Sequence, residues 1–565
     1  MDVFLVLLCM PFIFVMFSHC YYRKTKHSNG EAAKLPPGPK PWPLVGCLPT
    51  MLATNMPTYK WIHAVMKQFN TETEIACIRL GSTYIIPVAS PQLALEFLKT
   101  YDSIFASRSS VSNTVDILSH RFLTAAFSPL GEQWKKMRRI LALEILNPST
   151  LHRMLGHRDT EADNLLRYIF SQTTDNLLRY IFSQTSNRGG AVVNVRSITQ
   201  HYCGNIIRRM LFNQRYYGKG REDGGPTFEE EEHNQALLTI LRHVNAFSIS
   251  DFLPWLKPFD LDGHQKVLKN ALNVVQKYDE PIIDERVQRW KDEKLEEVKD
   301  DILDILISLK DENAKPLLSV AEIKAQITEL QIATIDNPSN AVEWAMAELL
   351  NQPKILEKAI EELDKVVGRE RLVEEYDIPN LKYLTACIRE SFRLHPFSPF
   401  NIPHVSNSDI IVAGYFIPKG SEVLLSRIGL GRNPKIWEDP MKFNPERHMN
   451  DRTTELGLLE PDLRFMSFSR GRRGCPGSSL GTNITMMLFA RLLQGFSWSL
   501  LRGITKIDFS EADELSLPKP LHLHAKPRLS HIMYPRRIHH QRKEDGSLWS
   551  MLQSMFFYIK LGSQS

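Results

Sequence analysis

Phe468-Ser469-Arg470-Gly471-Arg472-Arg473-Gly474-Cys475-Pro476-Gly477 sets one cysteine in a loop of glycines and arginines. A long apolar helical pattern follows at once (Leu480, Ile484, Met487, Leu488, Leu492). A thiolate stays ionised when positive charge and a helix N-terminus lie beside it, and this setting offers both. Gly471, Gly474 and Gly477 allow a tight turn and close approach of the backbone to a flat ligand. Three roles are open to such a cysteine: metal ligand, nucleophile or inert packing residue. No second Cys or His lies nearby at zinc-ligand spacing, which disfavours zinc. Ligation of a haem iron through sulfur suits a lone cysteine better, because that site asks for a single protein ligand.

Phe468, Gly471, Arg473, Cys475 and Gly477 match, position for position, the haem-binding loop of the cytochrome P-450 superfamily, which this segment resembles. The resemblance implies a mainly α fold with small β-sheets, built as one large domain. It also implies haem b ligated by the Cys475 thiolate, O2 as co-substrate, and electrons from NADPH through a separate reductase. No flavin or nicotinamide fingerprint occurs in the chain itself. Arg470 and Arg472 make a basic surface suited to an acidic redox partner.

Composition agrees with a large globular enzyme. The 565 residues are 43% hydrophobic and 24% charged, enough for a sizeable core. A net charge of +5 gives no reason to expect nucleic acid as a partner. The seven cysteines show no framework spacing, which points to reduced thiols in a cytosol-facing domain.

Residues 3–17 form an apolar run extended to Tyr22, and Arg23, Lys24 and Lys26 follow it. Charge after the run reads as a transmembrane signal-anchor over 1–22, with everything beyond it cytosolic. The expected location is therefore the endoplasmic reticulum membrane, crossed once. A basic and proline-rich linker spans 23–49; Leu35-Pro36-Pro37-Gly38-Pro39 excludes helix and resembles the hinge of microsomal family members. The catalytic domain is expected over 50–535. A basic tail, 536–565, runs past the point where family members usually stop.

Between 56 and 130, alternating segments such as 74–80 and 84–88 read as short strands. Trp134 and Arg138 lie four apart on a helical pattern, an indole N–H and a guanidinium side by side and suited to a carboxylate. They resemble the family's pair on the haem propionates. Residues 163–173 recur unchanged at 175–185. Either one helix runs through both copies, or Thr174 or Asp175 caps a fresh helix and the extra piece loops away.

A long helix is expected from Ser319 to Asn351, opened by a capping box, Ser319 to Glu322. Pro338 in its middle deprives the Thr334 carbonyl of its usual donor and makes a bent wall for an oxygen pocket. Most P-450s carry an acid followed by threonine there; here Asp336 is followed by Asn337. Asn337-Pro338-Ser339-Asn340-Ala341-Val342-Glu343-Trp344 resembles family 79, plant enzymes that hydroxylate amino acids twice on nitrogen and release an aldoxime. The resemblance makes Asp336 and Asn337 the candidate catalytic residues, with Thr334 at the substrate.

Glu390 and Arg393 lie three apart on one helical face, and Arg447 would complete a buried ion triad of structural value. His395-Pro396-Phe397-Ser398-Pro399-Phe400-Asn401-Ile402-Pro403-His404 resembles family 79 closely. It implies that Ser398, Phe400, Asn401 and Ile402 line the substrate pocket. His404 stands where many relatives place a propionate-binding arginine, and Trp134, Arg138, His404 and Arg473 are expected on the two propionates. The implied product serves specialised metabolism such as glucosinolates or cyanogenic glucosides. Two alternatives remain: a carbon hydroxylase of the same fold, or a degenerate relative without catalysis.

Overall fold

The computed structural model describes residues 33–69, 74–182, 191–221, 223–244, 246–293, 300–449, 457–509 and 516–534. The segment read as an anchor (1–22) and the tail (536–565) lie outside the described residues. Among those described, no helix is long and apolar enough to cross a membrane.

One helix, Val320–Asn351, organises the rest. Its start is fixed by the expected capping box. The Ser319 hydroxyl accepts the Glu322 N–H (3.3 Å), and the Glu322 carboxylate accepts the Ser319 N–H (2.9 Å). It packs against Val195–Phe212, Phe228–Val244, Lys382–Leu394 and Ser478–Gly495. Neighbours on every side bury it and Ser478–Gly495 nearly all round, polar residues such as Gln326, Gln331 and Glu343 included. Trp344, Leu349, Ile206, Met210, Ile484, Leu488, Phe489 and Leu492 belong to the resulting core. The helix continues through Pro338 without ending.

Three small sheets flank the helices. In the largest, Ile78–Leu80, Thr83–Val88, Glu422–Leu425 and His404–Val405 lie side by side in that order. Thr83–Val88 runs parallel to Glu422–Leu425, with Ile85 opposite Glu422 and Val88 opposite Leu425; the outer pairs are antiparallel. Ala191–Asn194, His522–Pro527 and Phe496–Ser499 form a second sheet, and Ile410–Val412 with Tyr415–Ile417 a hairpin. Of the alternating segments between 56 and 130, these two strands are real. Around them the chain is helical, as in Thr58–Phe69, where Trp61, Ile62, Val65 and Met66 make a buried helical face.

The duplicated segment resolves in favour of one helix: Leu155–Phe182 runs unbroken past Thr174 and Asp175. Leu165, Leu166 and Ile169 are buried, and Phe170 stacks on Tyr534 with centroids 4.4 Å apart.

Glu390 is fully buried and holds more partners than the expected triad. One oxygen meets Arg393 Nη2 (2.7 Å), Arg447 Nε (3.0 Å) and the Asn444 N–H (2.9 Å). The other meets Arg393 Nε (2.7 Å) and His448 Nε2 (2.8 Å). Burial alone would raise this carboxyl, but the hydrogen bonds from Arg393 and His448 outweigh it and hold Glu390 at about 2.

Candidate active site

The cysteine loop is closed on itself by backbone bonds. Cys475 N–H donates to the Phe468 carbonyl (2.8 Å) and Gly474 N–H to that of Gly471 (2.9 Å). Gly471 has φ 79° and an added Cβ would sit 2.4 Å from the Leu98 carbonyl oxygen, so only glycine fits. Arg473 and Gly474 are buried while Cys475 is exposed. Burial nonetheless pushes the Cys475 thiol up, and the Gly477 amide with the charges of Arg138 and Arg427 pulls it back. The side chain borders a solvent-accessible space, with protein packed around it closely enough to raise the thiol.

The long helix supplies another wall of that space. Ala333 is exposed in the middle of a helix otherwise mostly buried, and Thr334, Asp336 and Asn337 are half-buried. Where Pro338 breaks the ladder, side chains bond backwards. Thr334 Oγ1 donates to the Leu330 carbonyl (2.8 Å), Asn337 Nδ2 to Ala333 (3.2 Å) and Ser339 Oγ to Ile335 (2.8 Å). Asn337 lies one turn beyond Ala333 and shares its face. Asp336 is turned about 100° away, and its charge acts on the buried Cys203 thiol of the neighbouring helix. Glu329, one turn before Ala333, ties helix to loop: it accepts the Ala126 N–H (3.0 Å), while the Ala125 carbonyl accepts from Arg473 Nη1 (3.1 Å).

Around this space the cations outnumber the anions. Arg473 also donates to the carbonyls of Ala106 and Ser128 (both 2.6 Å), and its guanidinium lies 4.6 Å from the centroid of the buried Trp134 ring. Arg138 donates to the Gly474 carbonyl at 2.7 Å. Trp134, Arg138 and Arg473, which the family resemblance groups, lie together here. Arg108 joins them, an arginine that sequence reasoning missed because a single basic residue in Ala106-Ser107-Arg108-Ser109 carries no local signal. It donates to the carbonyls of Ala126 (3.2 Å), Ile402 (3.0 Å) and Pro403 (2.7 Å). His404 plays a different part from the one its position suggested. Its Nδ1–H goes to the Phe105 carbonyl (2.9 Å), and burial together with Arg108 and Arg473 holds the ring neutral. Nε2 is then an acceptor, so Arg108 supplies the cation beside it.

These residues fit a haem. Arg108, Arg138, Arg427 and Arg473 crowd the site with Glu329 as the carboxylate acting on Arg108 and Arg473, and burial pushes that acid upward. Burial also lowers Arg473, to about 10. A planar group with two carboxylates, bound by a thiolate, supplies the missing negative charge.

The segment after the Lys382–Leu394 helix is less uniform than expected. Ile402 is 36% exposed and faces open space. Phe400 instead stacks on His63, centroids 4.8 Å apart, beside the four-stranded sheet. Ser398 Oγ donates to the Phe400 carbonyl (2.9 Å). Asn401 Oδ1 accepts the Leu425 N–H (2.7 Å), which leaves its Nδ2 buried without a partner.

Known proteins agree with this geometry. Over 84% of the chain the fold superposes on a solved zebrafish cytochrome P450 with progesterone, covering all of that chain at TM-score 0.65 and 23% identity. A tryptophan N-monooxygenase of Prunus mume is 54% identical over 94% of this chain and 97% of its own length. An isoleucine N-monooxygenase of Lotus japonicus is 53% identical over 92% and 95%. The family described as Cytochrome P450 matches residues 36–525. With its cysteine loop, its proline-containing long helix and its cluster of arginines, the chain belongs to the cytochrome P450 family, in the family 79 branch.

Proposed function

We propose that this enzyme N-hydroxylates an L-amino acid, or a chain-elongated relative, twice and releases the aldoxime after loss of water and carbon dioxide. One observation carries the reading: relatives at 54% and 53% identity are named for tryptophan and for isoleucine. An indole and a branched aliphatic chain share only the amino and carboxyl end, so the common reaction belongs there.

Haem b bound through the Cys475 thiolate supplies oxygen activation, driven by electrons from NADPH through a separate reductase. Trp134, Arg138, Arg473 and Arg108 would hold its carboxylates. Thr334 and Ile402 face the substrate. Each hydroxylation consumes one O2, two electrons and two protons and releases one water, so protons must reach the oxygen side. Asn337 holds water there through its free carbonyl oxygen, since its Nδ2 is occupied by Ala333. Asp336, turned about 100° from Asn337 on the helix, would exchange protons with that water only through a further water molecule. The apolar run 3–22 followed by Arg23, Lys24 and Lys26 supports anchorage in the endoplasmic reticulum with the catalytic domain in the cytosol.

The test is reconstitution of the full chain with an NADPH-dependent reductase, a panel of L-amino acids, and mass analysis for oximes. Oxime formation is expected; a carbon-hydroxylated product without nitrogen oxidation refutes the reading. Asn337→Ala is expected to lower product formed per electron consumed by about 10- to 100-fold. Peroxide release should rise, and the carbon-monoxide band of the reduced enzyme should stay unchanged.

A further inference from the structure

Arg427 is a buried guanidinium without a carboxylate. It opens the short helix Arg427–Gly431 just past the strand Glu422–Leu425 and is 8% exposed. Nη1 donates to the carbonyls of Met466 (2.7 Å) and Ser467 (3.4 Å), and the group lies 4.4 Å from the centroid of the Phe397 ring. Nε is buried with no hydrogen-bond partner. Four other buried arginines meet acids, Arg158 with Glu375, Arg389 with Glu460, Arg393 with Glu390 and Arg491 with Asp163, whereas Arg108 and Arg473 in the same site, like Arg427, donate to backbone carbonyls. A cation taken out of water without such a partner is costly to keep.

The carbonyls that hold Arg427 belong to the residues leading into the cysteine loop. Cys475 is the ionisable group whose charge acts on it, and Arg427 in return favours the Cys475 thiolate. The arginine is also clamped to the loop that presents the ligand. Met466 and Ser467 lead directly into Phe468, whose carbonyl receives the Cys475 N–H at 2.8 Å. Burial lowers Arg427 to about 10, which leaves it charged at neutral pH.

We infer that Arg427 is a positioning residue for electron transfer, whose fixed positive charge raises the reduction potential of the thiolate-ligated iron. The inference rests on the haem-thiolate reading of Cys475. Porphyrin and thiolate together carry three negative charges and balance ferric iron. One electron from the reductase makes the iron ferrous and leaves one net negative charge, with no bond made or broken. A buried cation nearby stabilises that more negative state in a medium of low dielectric.

The experiment is anaerobic spectroelectrochemical titration of the haem-loaded full chain without substrate. In R427Q the ferrous-to-ferric ratio at a fixed potential is expected to fall at least tenfold, a midpoint about 59 mV lower or more. R427K, which keeps the charge, should stay within threefold of the wild type. Both should retain the carbon-monoxide band of a thiolate-ligated haem. A ratio in R427Q within threefold of wild type overturns the inference. So does an equal fall in R427Q and R427K, because shape and not charge would then matter. Should R427Q fail to hold haem, R427K decides: retention with a wild-type ratio supports the charge, and loss of haem or a tenfold fall overturns it. A wild-type chain lacking the thiolate band would remove the site reading itself. Absence of oximes with an intact band would instead count against the proposed reaction and leave this inference standing.

Discussion

Cys475→Ser is expected to remove the thiolate-type carbon-monoxide band and to lower oxime formation by at least about 10³-fold. The effect should be chemical, not structural. The Cys475 side chain is exposed, and the loop is closed by backbone bonds from residues 474 and 475 that serine preserves. Far-ultraviolet dichroism and unfolding of the haem-free chain should therefore match the wild type. A variant with near-normal turnover would show that the sulfur is not the iron's ligand.

Glu390→Ala should produce the largest loss of stability, about 3–5 kcal/mol. Removing the carboxylate strands Arg393, itself fully buried, and unpairs Arg447 and His448. Denaturant unfolding of the haem-loaded protein measures the loss. The same group predicts a dependence on acid. The Glu390 carboxyl titrates at about 2 in the fold against an ordinary value of 4.5. Its folded value is depressed, so its contribution of about 3 kcal/mol is complete above pH 4.5 and disappears as pH falls toward 2. Glu390→Gln should flatten the stability profile within that window; an unchanged slope would place the acid sensitivity elsewhere.

Most of the scaffold was readable from local chemistry. The capping box at Ser319, the apolar helix after Gly477 and the Glu390–Arg393–Arg447 set each depend on residues at short, fixed separations, and the structure has all three. The cysteine loop was readable for the same reason. Arg108, by contrast, acquires meaning only when the loop at Ile402, 294 residues further on, folds against it. Arg427 shows nothing in sequence of its want of an acid, since that is a property of everything around it. Phe400 and Ile402 sit two apart and face different surroundings, His63 and open space, because a short bridge pairs Phe400 with Ser426. His448 escaped notice because a histidine next to Arg447 carries no periodicity. The strands read at 74–80 and 84–88 are present as Ile78–Leu80 and Thr83–Val88, because alternation over a few residues is a local signal.

The parallel pairing of Thr83–Val88 with Glu422–Leu425 joins stretches separated by more than 330 residues. During synthesis the first of these leaves the ribosome long before its neighbour exists, while the helices between them can already assemble. Closure of that sheet, and with it the seat of Phe400 and Ile402, must be among the last events of folding. Ile85, Ile86 and Val88, all buried in the finished protein, stay uncovered in the nascent chain until then.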